Sequence, residues 1–389
     1  MYTRDIQPID LDKRDGAKDV LCLAIKSRDW DIKAQLDAIE AVVAVVYPGS
    51  LWTAKQVEEQ GMNNIVYLAT QVQGQKSLPH KLASLDRVIV RIAHKRNHDT
   101  PKDFEAEIAA MRHVYCHTQI PVPKVLAYSI DDHISVMEFI SEGMRLNRAW
   151  PKLTPMARKQ TVRDYARIIS ELHKVDGYKG IGSLQIESGC GLTPLRPPSL
   201  PNSDPSTKPL ETTFKNAETL LKTVLQTRSD YLKQADPNDR KGLPYWADLK
   251  DAQEVYEALL ERLPRICRPV DDCPRMCLRA LCLRGISRNI IVRPSDGTIV
   301  AVIDWEKVNI LPAALLSWLP LFLTEGLSKT ESVAAVQAYR QIIKETDPDL
   351  LVYFDPSYDD FREVAWVAAM DVWYNMETRE IMSIVQRTP

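Results

Sequence analysis

A short predicted β hairpin between Asn289 and Asp304 constrains this chain more than any other part of its sequence. Asn289 opens an apolar run at residues 290–292, a turn follows at residues 294–297, and a second apolar run ends at Asp304. Because the two runs fold back on each other across the turn, Asn289 and Asp304 are predicted to lie side by side. Their oxygen atoms suit Mg²⁺, which prefers oxygen ligands. An Asp at the end of a strand is also explained as a cap of a turn or helix.

A sheet-rich first part and a helix-rich second part make up the rest of the chain. After a helix at about 17–46, the predicted elements are a strand–turn–strand unit from Val57 to Thr70, a strand at Val88–Ile92, a helix from Thr100 to about His117, and strands at Val125–Ser129 and Ile134–Phe139. Helices are predicted around the hairpin at about 157–175, 211–236, 249–263, 312–325, 328–346 and 357–384, with a Pro- and Ser-rich loop at 190–209. This order predicts a two-lobed α+β fold, with a small antiparallel sheet in the first lobe and a larger helical second lobe.

The composition excludes several classes of partner. The 389 residues include 50 basic and 52 acidic side chains, which gives a net charge of −2 without a long run of one sign. Such a balance predicts neither a nucleic-acid partner nor an anionic membrane surface. No stretch reaches the roughly 18 apolar residues of a membrane span, and the first residues lack the apolar region of a secretory signal. With seven scattered cysteines, the chain is expected to be cytoplasmic with reduced thiols. The sequence gives no indication of oligomeric state.

The order and spacing of these elements resemble a known family. A loop with Gly61 and Asn63, a strand with Arg91, a helix with Glu107, a segment around Glu138 and the hairpin follow one another over about residues 55–325. The chain thereby resembles the aminoglycoside phosphotransferase and choline-kinase-like family of the protein-kinase-like fold, in the form found in fungi.

The resemblance implies where the two lobes divide. Residues 1–140 would form the N-terminal lobe, with a helical extension, a nucleotide-binding type of sheet and the hinge. Residues 141–389 would form the helical C-terminal lobe, with a remnant of the catalytic hairpin at 282–306. A small-molecule ligand would bind in the cleft between the lobes, together with ATP and Mg²⁺ if the family's cofactors are retained.

The resemblance also assigns roles in the first lobe. The loop with Gly61 and Asn63 would bring backbone N–H groups to phosphates, although one Gly also fits a plain hairpin turn. Arg91 would hold the nucleotide phosphates in place of the usual Lys, and Glu107 would hold Arg91, with Glu105 as the second candidate. An Arg–Glu pair at this position is equally explained as purely structural. Glu138 would brace the hinge, where backbone groups meet adenine.

The catalytic segment departs from the family pattern. Asn289 and Asp304 occupy the places of the two magnesium ligands, but the catalytic Asp expected five residues before Asn289 is replaced by Arg284. If one residue has been lost instead, Gly285 occupies that place. The carboxylate that orients the attacking hydroxyl and accepts its proton is absent in both registers, and Arg cannot accept a proton at neutral pH.

Four functions therefore stay open. The chain is interpreted first as a phosphotransferase-like protein that binds a small molecule while ordinary kinase catalysis is lost or impaired. The alternatives are an active ATP-dependent small-molecule phosphotransferase with another base, and an enzyme of different chemistry in a fungal biosynthetic pathway. An interaction protein would instead need a large exposed apolar patch, which a sequence cannot reveal.

Overall fold

A sheet with one covering helix forms the first part of the molecule. The computed structural model describes residues 7–14, 17, 32–58, 64–72, 85–93, 101–175, 177–186, 195–198, 210–234, 249–272, 274–280, 286–324 and 326–369. In these residues, six strands pair in the order β1-β5-β6-β4-β3-β2. The strands are β1 (Ile9–Asp10), β2 (Trp52–Gln56), β3 (Asn64–Gln71), β4 (Arg87–Ala93), β5 (Val125–Ser129) and β6 (Ile134–Glu138). Neighbours pair antiparallel except β1 and β5, which are parallel.

Helix α1 (Ile32–Val46) covers this sheet with a single apolar face. Its buried residues include Ile39, Val42, Val43 and Val46, which recur at the spacing of one helix face. They join the buried side chains of β2–β6 in one hydrophobic cluster. The cluster holds β4 rigidly, and β4 carries Arg91.

The second part of the described chain is mainly helical. Its helices are α2 (Pro101–His117), α3 (Leu146–Ala149), α4 (Pro155–Lys174), α5 (Ala217–Gln234), α6 (Leu249–Asp271), α7 (Lys329–Thr346), α8 (Pro348–Leu351) and α9 (Asp359–Ala369). Short strands accompany them, namely β7 (Met144–Arg145), β8 (Ser183–Leu184), β9 (Leu195–Arg196), β10 (Met276–Ala280), β11 (Ile290–Val292), β12 (Ile299–Val302) and β13 (Val308–Pro312). They form the small sheets β12-β11-β7, β10-β13 and β8-β9.

Helix α2 links the two parts. It begins at Pro101, where the missing N–H of proline costs nothing in the first turn. Its apolar residues, among them Phe104, Ile108 and Val114, are buried in the larger hydrophobic cluster with α4–α6. The opposite side of the helix therefore remains available to meet the sheet.

The hairpin β11–β12 is anchored to helix α4 by its turn. Gly297 has a φ of +78°, in the left-handed region that glycine tolerates, and its carbonyl oxygen accepts a 2.6 Å hydrogen bond from the Thr161 hydroxyl. A Cβ atom at Gly297 would overlap the backbone carbonyl oxygen of Ala157. The turn can therefore approach the helix this closely only with glycine.

Replacing Gly297 by alanine is expected to destabilise the protein by about 2–4 kcal/mol, as the sum of left-handed strain and a backbone overlap that requires the turn to move. Urea unfolding of the variant measures this loss. Gly326→Ala is the matched control, because Gly326 also has a positive φ of 69° but no atom lies within 4 Å of its Cβ position. Equal losses in the two variants would contradict the role of the close approach.

One predicted helix extends clearly further along the chain, and another predicted helix is wrong. The helix predicted at 249–263 continues to Asp271, with Pro264 and Pro269 inside it. The segment 312–325 is not an α-helix, because it contains only short 3₁₀ turns at Ala313–Ser317 and Leu321–Leu323 after strand β13. The last helix is described as far as Ala369, and most of the 190–209 loop lies outside the described residues.

Candidate functional site

The hairpin brings Asn289 and Asp304 together as the sequence predicts. Strands β11 and β12 pair from Ile290 opposite Val302, and the Ile303 N–H donates to the Asn289 carbonyl oxygen at 2.8 Å. The Asn289 side chain hydrogen-bonds to the Asp304 carboxylate. Asp304 has a φ of +64°, a conformation that Asp adopts more readily than most residues. The two oxygen-bearing side chains therefore form one half-buried pair at the open end of the hairpin.

The charge of Asp304 is poorly compensated in the protein alone. Burial raises the pKa of its carboxyl above the ordinary value, and the nearby negative charge of Glu107 raises it further. The positive charges of Arg91 and Arg145 and the hydrogen bond from Asn289 lower the pKa, but the net shift is upward. A cation at this point would stabilise the charged carboxylate.

Arg91 and Glu107 form a buried ion pair between strand β4 and helix α2. A terminal guanidinium nitrogen of Arg91 contacts Glu107 Oε2, and the two residues are only 7% and 4% exposed. Burial lowers the pKa of Arg91, but Glu107, Asp304 and Glu306 raise it by a larger amount. The guanidinium is thus held charged.

The second candidate partner, Glu105, faces elsewhere. Its carboxylate contacts Arg196 at 2.7 Å and accepts the Ile186 N–H at 3.2 Å. Of the two acids of helix α2 considered from the sequence, Glu107 is therefore the one that meets Arg91.

The Arg91–Glu107 pair keeps unused hydrogen-bonding capacity. Nε of Arg91 and Oε1 of Glu107 have no hydrogen-bond partner in the described part of the chain, although both atoms are buried. Buried polar atoms of this kind call for a partner such as a ligand or water. Together with the oxygens of Asn289 and Asp304, they fit a phosphate group and a hard divalent cation.

Glu138 lies at the end of β6, beside the predicted hinge. Its Oε2 accepts the Lys124 N–H at 3.3 Å, and its own N–H donates to the Lys124 carbonyl oxygen at 2.9 Å. Burial raises the pKa of Tyr47 to about 12, with the negative charge of Glu138 as the second cause. The carboxylate thus ties β6 to the start of β5 rather than pointing at Asp304.

The remaining predicted site residues cannot be placed. Gly61, Asn63 and Arg284 lie outside the described residues, as does Gly285. Their roles stay predictions.

Asp271 is a carboxylate that could in principle take the place of the base predicted to be absent. Asp271 is engaged elsewhere, since its carboxylate accepts the N–H groups of Ala217 and Glu218 at 2.9 and 3.2 Å. It caps the start of helix α5 and does not serve the hairpin. Among the described residues, no three His, Cys, Asp or Glu side chains gather into a metal-binding group.

A small cavity of about 40 Å³ lies beneath the pair of Asn289 and Asp304. It is lined mainly by apolar side chains of α4, β10 and β13, and it has room for a few water molecules but not for a nucleotide.

Sequence reasoning missed Arg145. It lies on β7 directly opposite Ile291, and it is one of the charges that act on Asp304. No local pattern singled it out, because a two-residue strand after the hinge has no recognisable periodicity. Only the pairing of β7 with β11 reveals its position.

Comparison with known proteins identifies the family. Residues 80–315 match the model of the phosphotransferase enzyme family APH, more than half of the 389 residues. The chain belongs to this family. A search of curated proteins returned no match. The APH membership agrees with the two-lobed kinase-like α+β fold predicted from the sequence, which is confirmed.

Solved structures with similar folds include several phosphotransferases. The streptomycin–ATP complex of APH(2")-IIa is 13% identical, with 86% of this chain and 91% of that chain covered and a TM-score of 0.44. APH(3'')-Id from Streptomyces rimosus is 16% identical over 85% and 98%, with a TM-score of 0.42. A choline/ethanolamine kinase family protein from Mesorhizobium loti is 14% identical over 93% and 99%, with a TM-score of 0.39.

Among the described helices, none combines the length and the apolar character needed to cross a bilayer.

Proposed function

We propose that this APH family member binds a nucleotide and a divalent cation beside Asp304, and that ordinary kinase catalysis is lost or impaired. The observation that carries the proposal is that the buried pair Arg91–Glu107 and the half-buried pair Asn289–Asp304 influence each other electrostatically. One pair offers a guanidinium for phosphate and the other offers oxygens for a hard cation.

Each side chain has a defined task in this proposal. Arg91 contacts phosphate oxygens, and Glu107 keeps the guanidinium charged and oriented. Asn289 and Asp304 provide two oxygen ligands for Mg²⁺, which ordinarily completes its coordination with water and phosphate oxygens. When bound, the cation neutralises phosphate charge. The loop with Gly61 and Asn63 is proposed to cover the phosphates, and Glu138 to stiffen the hinge near residue 140.

The loss of catalysis follows from position 284. Ordinary phosphoryl transfer in this fold uses a carboxylate that receives the acceptor's proton, and a positioned base contributes typically 10²–10⁴-fold. Arg284 cannot take this role, nor can Gly285 in the alternative register. Asp271, which caps helix α5, does not replace it.

The biological setting is proposed from the resemblance alone. In the fungal branch of the family, a member released from phosphoryl transfer would act as a small-molecule binding protein or as an enzyme of different chemistry in a biosynthetic pathway. Neither use changes the expected contacts of Arg91 and Asp304.

Titration calorimetry with ADP and Mg²⁺ tests the binding proposal. The wild-type protein is expected to bind ADP more tightly with Mg²⁺ than without it, and Asp304→Asn should reduce the Mg²⁺-dependent affinity by about 10-fold or more, since a charge-assisted contact is worth roughly 1.5–3 kcal/mol. The variant should fold, because Asn is nearly isosteric and removes a carboxylate that is buried beside Glu107.

Asp230→Asn is the matched control, since Asp230 is an exposed residue of helix α5. It should bind like the wild type. A wild-type protein whose ADP affinity is the same with and without Mg²⁺, or an Asp304→Asn variant that is equal to the control, would refute the proposed role of Asp304.

A further inference from the structure

Arg145 occupies a defined place on the sheet that carries the site. Strand β7 pairs antiparallel with β11, and Arg145 lies directly opposite Ile291. Residues directly opposite each other project to the same face of a sheet. Asn289 lies two residues before Ile291, directly ahead of β11. Arg145 is thus on the strand next to Asn289, at the same end of the hairpin.

The guanidinium of Arg145 takes no part in holding the described fold together. The residue is half-buried, and its guanidinium forms no hydrogen bond or ion pair in the described part of the chain. Another half-buried arginine, Arg196, does have a partner, Glu105. Five donors without an acceptor are a ready site for a planar anionic group.

Electrostatics support the same position. The guanidinium of Arg145 lies close enough for its positive charge to act on the Asp304 carboxyl. Arg91 acts on Asp304 in the same way. Two cationic side chains, one on β4 and one on β7, therefore act on Asp304.

We propose that Arg145 binds an anionic group, a phosphate or a carboxylate, of the ligand held beside Asp304. This inference rests on the proposed function and adds the class of ligand that the cleft selects. Arg91, on the sheet of the first lobe, contacts a phosphate of the ligand. Arg145, in the second lobe, contacts an anionic group of the ligand. A ligand group that carries positive charge at this point would be repelled by the guanidinium.

The anionic group has two potential sources, the nucleotide's own phosphates or a second molecule. Calorimetry on the full chain with Mg²⁺ separates them by comparing Arg145→Gln with the wild type. If the group belongs to the nucleotide, Arg145→Gln weakens ADP and tripolyphosphate by about 10-fold or more and leaves adenosine unchanged. If it belongs to a second molecule, ADP binds normally, and inorganic phosphate binds the ADP-saturated variant about 10-fold more weakly than the wild type.

Two further variants keep the test specific. Arg145→Lys retains the charge and should restore part of the affinity. Arg268→Gln removes an exposed arginine of helix α6 and should bind every probe like the wild type.

Equal affinities of Arg145→Gln, Arg268→Gln and the wild type for all four probes would overturn the inference, as would a wild-type protein that binds no anionic probe. A different result is expected if Arg145 binds an anion but the proposed nucleotide binding is wrong. Tripolyphosphate then binds in an Arg145-dependent manner, while ADP binds no more tightly than tripolyphosphate.

Discussion

The Arg284→Asp variant is expected to turn over ATP about 10²-fold or more faster than the wild type in the presence of Mg²⁺ if Arg284 occupies the place of the base. The substitution places a carboxylate five residues before Asn289, where the phosphotransferase pattern has its base. The proposed nucleotide contacts of Arg91, Asn289 and Asp304 are unchanged, so the gain should appear in the rate rather than in the ADP affinity. Phosphate release from ATP, measured with and without a panel of hydroxyl- and amine-bearing acceptors, provides the readout.

The register of the loop is tested by the companion variant Gly285→Asp. Only the variant that reproduces the true register should gain activity, and the other serves as its control for charge. A wild-type protein that phosphorylates an acceptor at about 1 per second, the lower end of ordinary kinase turnover, would contradict the loss of catalysis. Inactivity of both variants despite normal ADP binding would indicate a cleft adapted to another ligand.

The hairpin was predictable because its information is local. An apolar run, a four-residue turn and a second apolar run determine which residues face each other, so the contact between Asn289 and Asp304 follows from the chain's own spacing. The same holds for strand β4 and helix α2, whose β-branched run and proline start are strong local signals. Nothing beyond neighbouring residues is needed for these elements.

Other features depend on contacts that local sequence does not encode. The apolar segment 312–325 has no period that separates a helix from buried extended chain, and in the structure strand β13 pairs with β10 just before it. The parallel pairing of β1 with β5 joins residues more than 100 positions apart. Arg145 belongs to the same class, since its place follows only from the pairing of β7 with β11.

The choice between Glu105 and Glu107 depends partly on local sequence and partly on distant contacts. Two residues apart on a helix are separated by about 200° around its axis, so the two acids must face nearly opposite ways. The sequence therefore predicts that only one of them meets Arg91. Which one depends on the rotation of α2, and that is set by the burial of Phe104 and Ile108 in the larger core.

Replacing Glu107 by Gln is expected to destabilise the protein by about 3–5 kcal/mol, because it leaves the charge of Arg91 buried without its anionic partner. Arg91 is 7% exposed and cannot reach water without moving strand β4, which is paired on both sides. Urea unfolding, compared at equal slope, measures the loss. The double variant Arg91→Met/Glu107→Leu should lose less than Glu107→Gln alone, since it removes both charges and leaves apolar groups in the buried space.

Glu257→Gln provides the matched control for loss of one carboxylate from an ion pair. Glu257 contacts Lys233 at 3.1 Å between helices α6 and α5, but their side chains are 49% and 44% exposed. Water replaces the lost partner there, so the expected cost is only about 0–1 kcal/mol. If Glu107→Gln costs no more than this control, Arg91 is satisfied by another group. After Glu107, the carboxylate with the largest effect on the pKa of Arg91 is Asp304. In that case Asp304 would pair with Arg91 and its charge would be less available to a cation. The Glu107→Gln variant should then bind ADP more weakly, and Mg²⁺ should increase its ADP affinity less than it does in the wild type.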